Sequence, residues 1–300
     1  MQINATSTYK TMKIIEPSVE LWSEENTSTE SHIARCARVC YGKEYKEPNQ
    51  EADKKMVEGL IKRGHLSMLR HSTIYGMTPF VKHMPSCFNS EFVSVVTDDK
   101  LDNVYFAYNK QFDYEHDDAN CEVCYTPTMF LDLCKGNPYL FSIYRLTFCI
   151  TTQDAIAKEL NRKSPNAIAE KSTRYCNFKD GIEICKPWWW NAKIGNLSVI
   201  DMMQLPTKEK KAAFSWREDE NAYTGLLDEG MKPEDARDVL PKALATKVIY
   251  TYSVKEWEDI LALRLYDKTG PAHPNAHVIM QMVKDQISNF AKEHNIDYQV

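Results

Sequence analysis

The stretch RKSPNAIAEKSTRYCNF, residues 162–178, carries no apolar stripe of period 3.6 or 2. Basic residues, a glutamate and two serines interleave with small ones. Two readings fit such a composition: a solvated loop, or a loop whose polar side chains converge on one anionic ligand. If the chain runs extended after Ala169, then Glu170, Ser172 and Arg174 fall on one side at period 2. An acceptor, a hydroxyl and a fork-shaped cation on one edge suit a nucleotide. The base offers donors and acceptors, and the phosphate takes bidentate donors. Ser172 has no nearby histidine in the sequence to act as its base, so hydrogen bonding suits it better than nucleophilic attack.

Working outward, FSIYRLTFCI alternates like a half-buried strand, and TTQDAIAKELNRK reads as a helix capped by Thr151 or Thr152. Near the start, TMKIIEPSVELW reads as a strand with a turn at Pro17. TESHIARCARVCYG follows as a helix with Thr29 as cap candidate and Gly42 as stop. In NQEADKKMVEGLIKRG, Asn49 can cap, Met56, Leu60 and Ile61 share a face, and Gly64 ends the helix. From Met77 to Tyr144 aromatics, Asp, Asn, Cys and Pro are scattered without a sustained period, which reads as an irregular insertion. In KPWWWN, Trp188, Trp189 and Trp190 cannot all point into a core, so one of them covers a pocket or an interface, or the loop packs on its own domain. The last third is helical, with Arg237 in the first turns of one helix and Arg264 near the end of another. No Gly, Ser or Pro-rich linker divides residues 1–300, so a single domain is expected.

The formal charge of −5 argues against a nucleic-acid partner, which a basic stripe would normally advertise. No stretch has the apolar length of a signal peptide or a membrane span, so a cytoplasmic chain without membrane contact is expected. Nine cysteines without a secretory signal read as reduced thiols. Cys121 and Cys124 have zinc-type spacing, but the second pair and a suitably spaced His are missing, so no metal is expected.

The residues also match a family. RKSPNAIAEKSTRY resembles the signature of the flavin-dependent thymidylate synthases, Arg-His-Arg, seven residues, Ser, one residue, Arg-Tyr. Here Arg162 stands first, seven residues run from Pro165 to Lys171, and Ser172, Arg174 and Tyr175 follow in register. CARVCYG, GHLSMLRH, EDARDVLP and SVKEWEDILALR are similar, in order, to further family motifs. The resemblance implies an α+β fold, an antiparallel sheet with flanking helices, and a homotetramer whose active sites are shared between subunits. It implies reductive methylation of dUMP to dTMP, with methylene tetrahydrofolate as carbon donor and NADPH-reduced FAD as hydride donor. Carried over by position, it implies that Glu159, Arg162, Glu170, Ser172, Thr173, Arg174, Arg237 and Arg264 line the dUMP site, with Arg264, Ser172 and Arg174 the catalytic group. His65, Ser67, Arg70, Arg162, Lys163, Ser164, Glu170, Ser253, Lys255 and Asp259 would face FAD.

The departures cluster on the flavin side. Lys163 and Ser164 stand for His and Arg of the triplet, Arg70 for a glutamate, and Cys40 for a serine. Ser253, Lys255 and Asp259 replace residues that contact FAD in the family, and Lys255 and Asp259 also have the spacing of a helix salt pair. Two other readings stay open: C5 methylation or hydroxymethylation of another pyrimidine nucleotide, and a nucleotide-binding relative without catalysis.

Overall fold

The computed structural model describes residues 12–43, 47–79, 90–98, 103–116, 123–161 and 167–300. The calls on Arg162, Lys163, Ser164 and Cys121 fall outside them. Pro17 separates two short strands, β1 (Met12–Ile15) and β2 (Ser18–Trp22). Helix α1 (Thr29–Val39) is capped not by the expected Thr29 but by Ser28 one residue earlier, and the Ser28 hydroxyl accepts from the Ser31 amide. Asn49 caps α2 (Gln50–Lys62) as expected, and Gly64 leaves the helix at φ +71°. A 3₁₀ turn, Leu66–His71, leads into β3 (Thr73–Pro79).

The segment from Met77 to Tyr144 is not irregular where it is described. It contributes β4 (Val93–Asp98), β5 (Asn103–Asn109), α3 (Lys110–Glu115), β6 (Val123–Tyr125), α4 (Pro127–Gly136) and a 3₁₀ turn, Pro138–Ile143. The strands form one antiparallel sheet in the order β4-β5-β3-β6. Strand β5 shows why no period was visible. Tyr105 and Ala107 join the main core, while Phe106 and Tyr108 pack on Phe112 on the other face. A strand covered on both faces reads as a continuous apolar run rather than an alternation.

The central sheet comes next, built from β7 (Arg145–Gln153), α5 (Asp154–Leu160) beside it and β8 (Ile168–Glu170). Then follow β9 (Glu183–Cys185), β10 (Gly195–Leu197), α6 (Val199–Gln204), α7 (Thr207–Asp228), α8 (Pro233–Ala236), β11 (Ala245–Ser253), α9 (Val254–Arg264) and α10 (Pro274–Glu293). Strands β2-β7-β11-β8 pair antiparallel throughout, and β7 and β11 align from Arg145 opposite Ser253 to Gln153 opposite Ala245. The protein is therefore α+β with antiparallel sheets. The one parallel pairing between named strands joins β1 to β9 in a small third sheet. Strand β7 is buried on both faces, not half-buried. Phe148 and Ile150 pack with Trp257, Ile279 and Met280, while Cys149 packs with Cys36 and Val39 of α1. Thr151 and Thr152 are consequently strand residues, and Gln153 takes the N-cap position of α5 without a side-chain cap. A second core gathers Ile14, Ile184, Leu197, Trp190 and Trp216. There Trp190 is buried, Trp189 half-buried and Trp188 56% exposed, so the three tryptophans do diverge.

Cys124 is disulfide-bonded, against the expectation of reduced thiols, whereas Cys36, Cys40, Cys134, Cys149, Cys176 and Cys185 are free. Among the described residues no group of three metal-ligating side chains forms a site, and no helix is long and apolar enough to cross a membrane.

Candidate active site

Strand β8 ends at Glu170, and the chain then turns instead of running on extended. The Lys171 amide still bonds the Lys247 carbonyl at 2.8 Å, and the Ser172 amide bonds the Cys40 carbonyl at 3.1 Å. The Ser172 hydroxyl accepts from the Arg174 amide at 3.2 Å, and its carbonyl accepts from Cys176 at 2.9 Å. A serine that bonds its own backbone two residues on stabilises a turn. Glu170, Ser172 and Arg174 are thus held at a strand end and a turn, not along one edge at period 2.

Around that turn the structure gathers most of the described dUMP candidates through a series of contacts. Arg237, at the exposed start of the 3₁₀ turn Arg237–Val239 that follows α8, donates to the Thr173 hydroxyl at 3.4 Å. Arg174 meets Glu234 at 3.3 Å with side chains 54% and 38% exposed, and its guanidinium lies 5.5 Å from the Tyr175 ring. Glu170 accepts from Lys158 at 2.6 Å and from the Thr246 hydroxyl at 3.2 Å. Arg264, the last residue of α9, anchors its Nε on the Glu159 carbonyl at 3.1 Å, and its terminal amino groups have no partner among the described residues. That anchor fixes the plane of the fork and leaves its outer donors for a ligand. Sequence reasoning missed Glu234 and Lys158, which hold Arg174 and Glu170; Glu234 opens the EDARDVLP segment but was not singled out there, and Lys158 belongs to none of the quoted family motifs.

Glu170, also a flavin-side candidate, belongs to the cluster just described, and the other described flavin-side candidates lie at the 3₁₀ turn before β3 and on α9 with its cap. His65 and Ser67 are exposed at the 3₁₀ turn before β3. Arg70 of the same turn donates to Gln111 at 2.6 Å and lies 5.0 Å from the Phe92 ring. Ser253 is buried and caps α9 through a reciprocal pair with Glu256. Lys255 pairs with Glu258 at 3.2 Å and Asp259 at 3.9 Å, the helix salt pair that its spacing allowed. Lys255 and Arg264 sit at opposite ends of α9, about 13 Å apart along an axis that rises about 1.5 Å per residue.

Beneath α1 lies a polar cluster that the sequence did not mark. Glu24 accepts from the Thr73 amide at 3.1 Å and the Thr73 hydroxyl at 3.2 Å, and burial pushes its carboxyl up to about 7, opposed by the nearby Arg145 charge. Arg145 donates to the carbonyls of Thr251 at 3.0 Å and Arg70 at 3.1 Å and to the Thr73 hydroxyl at 3.4 Å. His32 meets Thr147 at 3.1 Å, Thr147 meets Thr251 at 2.8 Å, and Thr251 meets His71 at 2.9 Å. Burial holds both imidazoles down to about 3, and so both are neutral.

Comparison with known proteins gives this geometry a family. The chain belongs to the thymidylate synthase complementing protein family, whose model matches residues 134–291. All the dUMP candidates fall inside that match, while His65, Ser67 and Arg70 fall before it. The flavin-dependent thymidylate synthase of Geobacter sulfurreducens is 29% identical over 145 residues, which cover 47% of this chain and 57% of that relative. The match therefore spans little more than half the relative's length. Among solved structures, the UMP/dUMP methylase PolB of Streptomyces cacaoi bound with 5-Br dUMP aligns over 94% of this chain and 93% of its own, at 14% identity and a TM-score of 0.42. The same methylase with 5-Br UMP aligns at 15% identity and the same TM-score, over 96% and 95% of the two chains.

Proposed function

We propose that this chain is a thymidylate synthase that converts dUMP to dTMP with methylene tetrahydrofolate as carbon donor, NADPH as reductant and FAD as cofactor. The observation that carries the reading is the gathering of Arg174, Thr173 and Arg237 at one turn that follows Glu170, with Arg264 anchored on Glu159, the neighbour in α5 of the Lys158 that holds Glu170, all within the residues of the family match. Arg174 and Arg237 are exposed and weakly held, so a phosphate can take the place of Glu234 at little cost; exposed ion pairs are worth at most about 1 kcal/mol. Arg264 never loses its charge. Beside a pyrimidine it favours the base ionised at N3, which makes C5 more nucleophilic. Ser172 contributes a hydroxyl already committed to a turn, and among the described residues no base contacts it. The reaction assigned here requires no enzyme nucleophile.

The chemistry of the flavin-side donors fits FAD. Arg70, Lys255 and His65 are basic groups suited to its diphosphate, and Ser67 is an exposed hydroxyl beside His65. Reduced FAD, when bound, supplies the hydride that completes the methyl group. Lys255 and Arg264 stand at opposite ends of α9, about 13 Å apart along its axis. A homotetramer with shared active sites accounts for that separation.

The test is incubation with dUMP, methylene tetrahydrofolate, FAD and NADPH, followed by product identification, with UMP in a parallel arm. Formation of dTMP that depends on added FAD is expected. Product from UMP alone would move the assignment to another pyrimidine, and no methylated product from either would overturn it.

A further inference from the structure

The two faces of β8 serve different surroundings. Glu170 pairs in register with Val248, whose face packs into the main core, and Ala169 pairs with Ile249, whose face packs under α1. The following residue, Lys171, projects into a groove on the α1 side of the sheet. There α1 leaves the end of the sheet uncovered, and Glu20, Trp22, Arg35, Lys43, Lys171 and Lys247 line a cavity of about 370 Å³. A second cavity of about 520 Å³ shares Lys171 and Glu183 with it and continues past Ala245 to Asn177, Asp180 and Asn196. None of the residues assigned above to dUMP or FAD lines either one.

The charge in the groove is unbalanced. Glu183 is already neutralised by Lys13 at 2.6 Å, and Glu20 accepts from the Trp22 indole at 3.3 Å. The Arg35 guanidinium stands 3.8 Å from the Trp22 ring centroid and the Lys171 ammonium 4.9 Å from that of Phe178. Lys43, Lys171 and Lys247 make no ion pair among the described residues. Yet they line one cavity in a chain of net charge −5. Gly42 makes the arrangement possible. It turns at φ +61°, and a Cβ there would lie 2.9 Å from Cys176 Sγ and 3.7 Å from Lys171 Cε, so only glycine lets the end of α1 close over the loop.

We propose that this groove is a second anion site, separate from the dUMP cluster, that takes an oligophosphate. Several unpaired ammonium groups around one pocket suit adjacent phosphates, because lysine acts as a compact point charge that needs no planar partner. The two cavities together have room for more than a free ion, since ligand pockets run from about 300 to 1,000 Å³. The half past Lys171, where Lys13 pairs with Glu183 and Asn177, Asn196 and Asp180 offer polar groups, suits the uncharged, hydrogen-bonding portion of a phosphate ester such as a nucleoside triphosphate.

Calorimetric titration of the full chain with inorganic tripolyphosphate tests the site. One site per chain is expected, with the same affinity in the presence of saturating dUMP and in Arg174→Ala. The double variant Lys43→Gln with Lys247→Gln changes two exposed positions and should weaken binding by about tenfold or more. Circular dichroism checks that it is folded. Absence of binding, displacement by dUMP, loss in Arg174→Ala, or an affinity unchanged in the folded double variant would each overturn the proposal.

Discussion

Arg174 and Arg145 show what the fold does with one residue type. Arg174 stands on a turn, more than half exposed, with one ion pair to Glu234 at 3.3 Å and the neighbouring Tyr175 ring 5.5 Å away. Arg145 begins a central strand and reaches three acceptors on three segments, beside a buried glutamate and two buried histidines. The first arginine is held loosely enough to exchange its partner for a ligand. The second has no such freedom: its donors tie β3, β11 and the 3₁₀ turn to β7, and its charge faces Glu24. In the sequence each is an arginine among polar and apolar neighbours. What separates them is the number and burial of their partners.

The largest expected effect of breaking this contrast falls on the buried side. Arg145→Met should destabilise the fold by about 3 to 5 kcal/mol, because it leaves Glu24 buried without its cation and orphans two carbonyls. Urea unfolding measures it, and a loss below about 1 kcal/mol would show that the cluster is dispensable. Gly42→Ala comes next at about 1 to 3 kcal/mol, from a left-handed backbone and the close approach of Cys176. The same unfolding experiment reads it.

The pH dependence follows from the same cluster. His32 and His71 bind protons near 6.5 when unfolded but only near 3 when folded. The folded state therefore carries fewer protons in that window, and the stability present above 6.5 is lost as pH falls toward 3. Glu24 acts oppositely: folded near 7 and unfolded near 4.5, it contributes stability below 4.5 that is lost as pH rises through 7. Two histidines against one glutamate make net destabilisation on acidification below about 6.5 the expected result. Glu24→Gln should remove the decline on the neutral side and leave the acid limb in place. Unfolding midpoints across that range check both limbs.

Parts of this were legible in the sequence because their causes are local. Asn49 caps its helix and Gly64 ends it through contacts within four or five residues, and Lys255 and Asp259 form the helix salt pair that their spacing allowed. The misreadings have long-range causes. Thr151 and Thr152 looked like caps, but β11 pairs with them from about a hundred residues away in the chain and makes them strand. The sheet between Met77 and Tyr144 lost its alternation when α4 and its neighbours covered one face of β5 and α3 the other. The buried cluster was invisible because His71 and Thr251 stand 180 residues apart, and nothing near either one requires the other.

The smallest expected effect on stability carries the central claim. Arg174→Ala should leave the unfolding midpoint within about 0.5 kcal/mol of the parent, as exposed substitutions usually do. It should nonetheless weaken dUMP binding by roughly ten- to a hundredfold, at about 1.4 kcal/mol per factor of ten. Its companion, Arg264→Lys, keeps a charge but loses the anchored fork, so turnover should fall more than affinity. Calorimetric titration of dUMP into the parent and Arg174→Ala is the most direct measurement of all. The account predicts clear one-site binding in the parent and that loss in the variant; equal affinity in the two, with both folded, would contradict the placement of the nucleotide at this turn.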